Sequence, residues 1–255
     1  MSRVLLYDIE ASNLSGSMGY VFSIAYAIID TDKLHKNWKK MKRGKGLPKI
    51  HLISVLNTKG GYDLKKINGR GLISDKEVIK KFAEVVTNEA DLICGHYAIC
   101  FDHKMINARA MRYGVKPMPN VKQYDTWLSA RKNHKLHSNR ADAITEFLGG
   151  TEKTRLKPER WVKASMGHIP SIKYIEHHNI KDIVDLVKMF VNLAPYDPKF
   201  PATQVFRGKC PVCGCDKFKK MRFLSSSRET YKSHQCSNCG KWVKGNRVES
   251  FVHKM

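Results

Sequence analysis

Two acidic residues stand at the end of the first predicted strand. Asp8 and Glu10 close an apolar run that begins at Arg3. Residues two apart on a strand point to the same face, so these carboxylates lie side by side and repel each other. A cation relieves that repulsion, and hard oxygen ligands of this kind suit Mg²⁺ or Mn²⁺. Because an Asp-x-Glu pair alone is common, a divalent-cation site requires further acidic residues elsewhere in the chain.

Two later segments supply such residues. Asp102 follows a short predicted strand at the start of a helix, where a helix cap is the alternative role. Asp182 lies on a predicted helix with an apolar opposite face, and His177 and His178 precede it by five and four residues. The alternative there is a solvent-exposed face with incidental histidines. Asp185, one turn later, is a lesser candidate ligand.

A second metal site is predicted near the end of the chain, where five of the seven cysteines lie between positions 210 and 239. In a reducing compartment, clustered cysteines indicate metal ligands rather than disulfides. Two C-x-x-C pairs, each followed by glycine, predict a closed tetrahedral Zn²⁺ site with a structural role. The four predicted ligands are Cys210, Cys213, Cys236 and Cys239. Cys215 and His234 lie nearby as spare ligands.

Aromatic residues alternate with Lys and Arg around these cysteines. They are Phe218, Phe223, Tyr231 and Trp242. This composition suits base stacking beside phosphate contacts. Packing of a very small core is the equal alternative. The segments 217–223 and 230–234 are expected to form the hairpin of a zinc ribbon, a fold that needs its metal because it is so small.

The elements that would position the acidic residues follow an α/β pattern. Apolar β-rich runs predict strands at 3–9, 20–29 and 51–56. Shorter strands are then predicted at 91–94 and 121–126 between helical patterns. The predicted helices run from Ser74 or Asp75 through Val86, from 101 to 113, from 141 to 148 and from 172 to 193. Strands followed by strand–helix alternation predict an α/β domain with a mixed sheet flanked by helices.

Three of the nine prolines fall between Ala194 and Pro201, directly after the last helical pattern. Proline fixes φ and lacks a donor, so this segment is predicted to be an extended linker. We therefore expect two domains, a main one at 1–195 and a zinc ribbon at 204–255. Residues 200–255 hold 12 basic and 3 acidic residues, so this part is basic for its size.

The charge of the whole chain indicates a polyanionic partner. Its 255 residues carry 46 Lys and Arg against 23 Asp and Glu, a formal net charge of +23. Nucleic acid is the expected partner, since no apolar run approaches the ~20 residues of a membrane helix. Acidic residues come too early for a signal peptide, so an intracellular protein is expected. Segment 33–49, with eight Lys and Arg and no acid, is expected to be a solvated loop or a basic arm that contacts phosphates.

Taken together, the motifs resemble those of the DEDD superfamily of 3′–5′ exonucleases, which has the ribonuclease H-like fold. Asp8 and Glu10 match the first motif, Asp102 the second and Asp182 the third. The resemblance covers most of residues 3–193 and includes Gly95-His96 before the second motif, 106–109 after it, and the strand end 124–126. It is closest to the proofreading-type domain of family-B polymerases. Small chains of this type with a zinc ribbon occur in bacteriophages.

Two departures from the family pattern concern the active site. Such families often have Asn after Gly-His, whereas Tyr97 stands here. One subfamily has Tyr four residues before the third-motif Asp, a position that His178 occupies. Another has His five residues before it, which fits His177. We expect His177 on this spacing, with His178 as the alternative.

The resemblance implies a metal-dependent 3′–5′ exonuclease. A single-stranded 3′ end of DNA is the expected substrate, and RNA and double-stranded substrates are the alternatives. The four acids would hold two Mg²⁺ or Mn²⁺ ions, and the histidine would act as general base on water, since its ordinary pKa is about 6.5. The product would be a nucleoside 5′-monophosphate. A cytoplasmic location (the host cytoplasm if the chain is viral) and a replication or recombination protein as partner are further expectations. The alternatives are a non-catalytic nucleic-acid-binding protein on a degenerate nuclease fold and a structure-specific endonuclease or resolvase.

Overall fold

The computed structural model describes residues 3–63, 72–150, 157–201, 208–225 and 230–248. The strands are β1 (Arg3–Ala11), β2 (Val21–Asp30), β3 (Ile50–Ser54), β4 (Tyr62–Asp63), β5 (Leu72–Ile73), β6 (Leu92–Gly95), β7 (Lys122–Asp125), β8 (Phe218–Ser225), β9 (Thr230–Cys236) and β10 (Trp242–Val248). The helices are α1 (Thr31–Met41), α2 (Lys76–Glu89), α3 (Asp102–Tyr113), α4 (Thr126–Asn133), α5 (Ala141–Phe147), α6 (Pro158–Ser165) and α7 (Ile169–Leu193).

A five-stranded mixed sheet with the order β3-β2-β1-β6-β7 positions the acidic residues. β1 pairs with β6, and β6 with β7, in parallel, whereas β2 and β3 join antiparallel. The carboxyl ends of β1, β6 and β7 therefore lie at one edge of the sheet. With helices flanking this sheet and a separate three-stranded sheet formed by β8 to β10, the predicted ribonuclease H-like fold with a small β zinc-ribbon unit is confirmed.

Side chains of β1 alternate between the two faces of the sheet. Val4 and Leu6 pack into the apolar cluster that contains the second half of α7, while Leu5, Tyr7 and Ile9 pack into the cluster with α2 and α3. Because this alternation has a period of two residues, Asp8 and Glu10 lie on the same face of the sheet as Leu6. The pairing of β1 with β2 shifts register between Glu10 and Ala11, where the ladder ends.

A close approach of backbones shapes the next strand end. Gly95 ends β6, and a Cβ atom there would lie 2.3 Å from the Cβ of Ala98 and 3.2 Å from the backbone oxygen of Tyr7. A side chain at position 95 would therefore push the loop that leads to α3 away from β1. The glycine lets this loop lie directly against the strand that carries Asp8 and Glu10.

A buried ion pair joins α2, α3 and the loop that follows Glu10. Arg109 donates from Nη2 to Asp75 Oδ1 at 2.7 Å and from Nε to Asp75 Oδ2 at 2.8 Å, and both side chains are almost fully buried. Asp75 also accepts from the backbone N–H of Val21 at 2.9 Å and the Tyr113 hydroxyl at 2.6 Å. Arg109 Nη1 donates to the backbone oxygen of Gly16 at 3.1 Å. The sequence predicts that Asp75 caps α2, but its side chain makes no capping hydrogen bond and instead forms these contacts with distant residues.

The basic segment at 33–49 is largely helical rather than a loop, because α1 occupies Thr31–Met41. Leu34, Trp38 and Met41 are buried in the cluster shared with α7, and their spacing forms one apolar helical face. Lys36, Lys39 and Lys40 lie in the same helix; Lys39 and Lys40 are exposed. The basic residues therefore extend from a packed helix.

The predicted extended linker after α7 is instead packed. A short 3-10 helix covers Ala194–Tyr196, and the ring of Phe200 lies 5.1 Å from the ring of Tyr124 and 6.1 Å from that of Phe190. Phe200 belongs to an apolar cluster that also contains Cys210 and Cys236 of the ribbon. The division into domains 1–195 and 204–255 stays a prediction, and the two parts share a buried contact.

None of the helices in the described residues combines the length and the apolar character that a membrane crossing requires.

We expect the Arg109→Met variant to lose about 3–5 kcal/mol of the free energy of unfolding, because the substitution leaves the Asp75 carboxylate buried without its counter-ion. Urea denaturation followed by circular dichroism measures this. Arg112→Met, an exposed arginine on the same helix, is the matched control and should change the free energy by less than about 0.5 kcal/mol. Equal effects of the two variants would contradict a structural role for the ion pair.

Candidate active site and zinc site

Asp8 is held from α7 by an amide. Asn179 donates from Nδ2 to Asp8 Oδ2 at 2.8 Å, and its own Oδ1 accepts from the Ser23 hydroxyl at 3.3 Å. The Asn179 side chain is fully buried. Sequence reasoning missed it, although it stands on the buried stripe of α7 between Ile175 and Ile183. A polar residue on such an apolar stripe is the sequence signal that could have identified Asn179.

Glu10 meets two side chains of the same helix. Glu10, His178 and Asp182 each offer one ligand atom, and these atoms all lie within 4.8 Å of one another. His178 Nε2 is 3.6 Å from Asp182 Oδ2, and these two side chains are only 18% and 17% exposed. The two carboxylates of this group fit a divalent cation, and the imidazole lies beside them.

The structure distinguishes the two histidines. His178 belongs to the cluster with Glu10 and Asp182, whereas His177 is exposed. Neighbouring residues on an α-helix are rotated by about 100°, so the two imidazoles cannot both face the sheet edge. The geometry favours His178, the alternative from the sequence, over the expected His177.

Asp102 reaches β1 across the start of α3. Its Oδ1 accepts from the backbone N–H of Ile9 at 3.1 Å, and the residue is 5% exposed. Ile9 lies between Asp8 and Glu10, so this bond places Asp102 next to the strand end that carries them. Burial raises the pKa of Asp102 to about 7, against the effect of the Ile9 hydrogen bond, and the charge of Asp125 adds to the rise. A cation bound beside a carboxyl group with a raised pKa would favour its ionised form.

Asp125 is a structural carboxylate at the end of β7. It accepts from the backbone N–H groups of Trp127 and Leu128 and so caps α4. It also accepts from the N–H groups of Tyr97 at 3.0 Å and Ile99 at 3.1 Å. These bonds fix the loop between β6 and α3, and therefore the position of Asp102.

Among the predicted carboxylates, Glu10 and Asp182 share one group with His178, while Asp8 bonds to Asn179 of α7 and Asp102 bonds to the backbone of β1. Asp8 and Glu10 arrive on β1, Asp102 on α3 and Asp182 on α7. Asp185 lies one turn further along α7 and is half-buried. A cluster of acids with one imidazole suits cations that prefer oxygen ligands, Mg²⁺ or Mn²⁺. The cation and the roles of these residues stay predictions.

The four cysteines of the ribbon meet the geometry of a zinc site. The sulfur atoms of Cys210 and Cys239 lie 3.6 Å apart, as do those of Cys213 and Cys236. Tetrahedral thiolates bound at about 2.3 Å from Zn²⁺ lie about 3.8 Å from one another. Hydrogen bonds among the four thiols lower the pKa of Cys210 and Cys236 and raise the pKa of Cys213 and Cys239. The donor set therefore fits one structural Zn²⁺.

The spare ligands lie outside this group. Cys215 is buried, and its sulfur exchanges hydrogen bonds with the backbone of Lys217. The His234 ring packs edge-on against Phe218 at 5.9 Å. Among the described residues, the tetrahedral cluster consists of Cys210, Cys213, Cys236 and Cys239.

The ribbon aromatics divide into two environments. Phe218 is half-buried and packs against the cluster shared with the main sheet, whereas Phe223 is 56% exposed. Trp242 is covered by the guanidinium of Arg222 at 3.7 Å from its ring centroid. Tyr231 is covered by the Lys244 ammonium at 3.3 Å. Phe223 is thus the aromatic side chain most open to a ligand in this set, and nucleic-acid contact by these residues stays a prediction.

No protein-family model and no curated protein matches the chain. Among solved structures, it is similar to the family B DNA polymerase from the hyperthermophilic archaeon Pyrobaculum calidifontis, with 16% identity and a TM-score of 0.54. The match covers 76% of this chain and 25% of that chain, so the protein corresponds to a quarter of the polymerase. At this identity, the likeness shows a shared fold.

We expect one zinc ion per chain by elemental analysis of the purified protein. Cys213→Ser should lose it, because three thiolates leave the tetrahedral site incomplete. Cys215→Ser is the matched control, since it removes a buried cysteine of the same unit that lies outside the cluster. Zinc loss in the Cys215→Ser variant, or full zinc content in Cys213→Ser, would contradict the assignment of ligands.

Proposed function

We propose that the protein is a metal-dependent 3′–5′ exonuclease of the DEDD superfamily that releases nucleoside 5′-monophosphates, with DNA favoured over RNA. The observation that carries the proposal is the meeting of Glu10, His178 and Asp182 beside Asp8 and Asp102 at one sheet edge. The similarity to part of a family B DNA polymerase agrees with the resemblance of the motifs.

The carboxylates act by holding cations at the scissile phosphate. Asp8, Glu10, Asp102 and Asp182 would hold two Mg²⁺ or Mn²⁺ ions, which when bound supply a nucleophile at neutral pH and stabilise the leaving 3′ oxygen. Asn179 positions Asp8, because its Nδ2 donates to one oxygen of the carboxylate. Asp102 is fixed by the backbone of β1.

His178 acts as the general base in this proposal. Its Nε2 faces the cluster and would take a proton from the attacking water. The Asp182 carboxylate at 3.6 Å would stabilise the imidazolium that results. An imidazole has an ordinary pKa near working pH, which suits proton transfer in both directions.

The surroundings of the site suit a nucleic-acid strand. The formal charge of +23 attracts phosphates from a distance. Two large apolar side chains, Leu14 and Met18, are 86% and 75% exposed on the loop that follows Glu10. The bond from Arg109 to Gly16 holds this loop, so these side chains offer apolar contact to bases without loop rearrangement.

The direct test compares a 5′-labelled with a 3′-labelled oligonucleotide, each with and without Mg²⁺. An exonuclease of this direction shortens the 5′-labelled strand stepwise and releases the 3′ label as a mononucleotide. A closed circular single strand should remain intact. Cleavage of the circle would indicate the endonuclease or resolvase alternative. Metal-independent binding without hydrolysis of any strand would indicate a non-catalytic nucleic-acid-binding protein.

Removing one carboxylate should disturb both cations. We expect Asp8→Ala or Asp182→Ala to lower kcat by at least ~10³ with a modest loss of oligonucleotide affinity. Single-turnover hydrolysis and fluorescence anisotropy measure the two quantities. Mg²⁺-dependent turnover close to the wild-type rate in both variants would remove the basis of the proposal.

The two histidines provide a matched pair of variants. We expect His178→Ala to lower kcat about 10²–10⁴-fold, the usual contribution of a general base. His177→Ala, an exposed neighbour on the same helix, should stay within about threefold of the wild-type rate by the same argument. The reverse pattern would show that His177, the residue expected from the spacing, is the general base.

The ribbon is proposed to add phosphate contacts rather than chemistry. Its exposed Lys219, Lys220 and Lys232 lie on β8 and β9. Replacing all three with Gln should weaken binding of a long single strand and reduce the slope of log Kd against log salt by about 0.7 per lost contact. The matched control replaces Lys80, Lys81 and Lys116, three exposed lysines on α2 or just after α3, the helices that pack on the other face of β1 from the ribbon cluster. Equal slopes for the two triple variants would make the ribbon a structural or protein-docking unit.

A further inference from the structure

Tyr97 has an unusual backbone conformation. Among the described residues, it is the one non-glycine residue with a positive φ, at 63°. L-residues with a Cβ atom rarely adopt this left-handed region, and glycine or asparagine adopts it more easily. Its side chain is nevertheless large, and the residue is 45% exposed. A strained residue with an exposed ring suggests that the position of the ring matters.

Several hydrogen bonds hold the strained backbone in place. The N–H of Tyr97 donates to Asp125 Oδ1 at 3.0 Å, and its backbone oxygen accepts from Cys100 and Phe101, both at 3.1 Å. Ile99 donates to the second oxygen of Asp125 at 3.1 Å. The surrounding loop thus determines the conformation, and strain of this kind concentrates at functional sites.

The Tyr97 ring belongs to a small aromatic group on the surface. It meets Trp127 edge-to-face, with ring centroids 5.1 Å apart. The guanidinium of Arg131 lies 5.1 Å from the centroid of the Trp127 ring. Trp127 is half-buried, and Arg131 is exposed. We call Tyr97, Trp127 and Arg131 the aromatic rim.

The aromatic rim lies beside the carboxylates. Tyr97 follows β6 and Trp127 follows β7, and these two strands are the first and second neighbours of β1 on one side. By the strand pairing, Asp125 at the end of β7 and Gly95 at the end of β6 are level with Tyr7, one residue before Asp8. Adjacent strands are about 4.8 Å apart, so the end of β7 lies about 10 Å across the sheet from Tyr7. Asp102 begins α3 five residues after Tyr97 and bonds to β1. The rim therefore stands at the same end of the sheet as the predicted cation site.

We propose that the aromatic rim is a stacking platform that holds one base of a single-stranded substrate next to the carboxylates. This inference rests on the proposed function and specifies how that site holds its substrate. The Tyr97 ring, which contacts Trp127 edge-to-face, stacks its open face on the base. Arg131 contacts an adjacent phosphate. Base–aromatic stacking depends little on base identity, so the platform takes strands of any sequence.

Two substitutions at position 97 separate the ring from the backbone. Tyr97→Asn removes the ring but tolerates the left-handed conformation, whereas Tyr97→Phe keeps the ring and removes the hydroxyl. We expect Tyr97→Asn to weaken binding of a short single strand and raise KM, each about 10-fold, with kcat nearly unchanged. Tyr97→Phe should stay within about twofold of the wild type. Leu128→Ala, an exposed apolar neighbour, is the control and should bind as the wild type does.

Stacking itself is measured with 2-aminopurine placed near the 3′ end of the oligonucleotide. Its fluorescence should be quenched on binding to the wild type and Tyr97→Phe, and recover in Tyr97→Asn. Arg131→Gln leaves the loop untouched and should weaken binding with a shallower salt dependence. DNA and RNA strands of one sequence, run in parallel, show which of them supplies the base. Unchanged quenching and affinity in Tyr97→Asn, or an equal loss in Tyr97→Phe, would overturn the platform.

Affinity and 2-aminopurine quenching are measured in proteins that also carry Asp182→Asn, so that the strand is not hydrolysed. This separates the inference from the proposed function. If the wild type hydrolyses no strand but Tyr97→Asn still loses quenching, the platform stands and the exonuclease proposal fails. If the wild type shortens 3′ ends and Tyr97→Asn matches it in KM and quenching, the platform fails and the exonuclease proposal stands.

Discussion

Burial of carboxylates at one end of the sheet is the constraint around which the main sheet is organised. Glu10 and Asp102 are 8% and 5% exposed, and water cannot screen them as it screens surface acids. The rise in the pKa of Asp102 to about 7 shows the cost of ionisation in this environment. The Asn179 amide donates to Asp8, and the Ile9 N–H donates to Asp102. These neutral donors orient the carboxylate oxygens without adding positive charge.

One helix connects this site with the zinc ribbon. The first half of α7 carries His178, Asn179 and Asp182, and its second half enters the cluster that contains the ribbon cysteines. The buried Lys241 of the ribbon also donates to the backbone oxygen of Asp197, just beyond the helix, and burial lowers the pKa of its ammonium. A Zn²⁺ ion held by the four cysteines would therefore stabilise the ribbon and, through it, the packing of α7. This contact gives a physical reason why loss of zinc would affect the positions of His178 and Asp182.

The parts of the fold that follow from local patterns were predictable. The alternating run of β1, the apolar stripe of α7 and the C-x-x-C pairs each specify their own structure over a few residues, and the structure has all three. The parts that were missed depend on distant partners. The abundance of lysine in α1 concealed a stripe of Leu34, Trp38 and Met41 that is buried only because α7 lies opposite. Phe200 stands among prolines typical of a linker, but Tyr124 and Phe190 offer it an apolar surface.

The same limit applies to the acids, because sequence spacing identifies a carboxylate but not its surroundings. Asp75, Asp102 and Asp125 all stand next to helix starts, where capping is the ordinary role. Asp75 instead meets Arg109 and Tyr113, and Asp125 accepts from four backbone N–H groups. Asp102 accepts from the N–H of Ile9 on β1, which lies between Asp8 and Glu10. Burial has the largest effect on the pKa of Asp102 and raises it. Two of these carboxylates are thus satisfied by the protein and serve its structure. The third, Asp102, keeps a raised pKa because its hydrogen bonds do not offset its burial, and it lies at the strand end that carries Asp8 and Glu10.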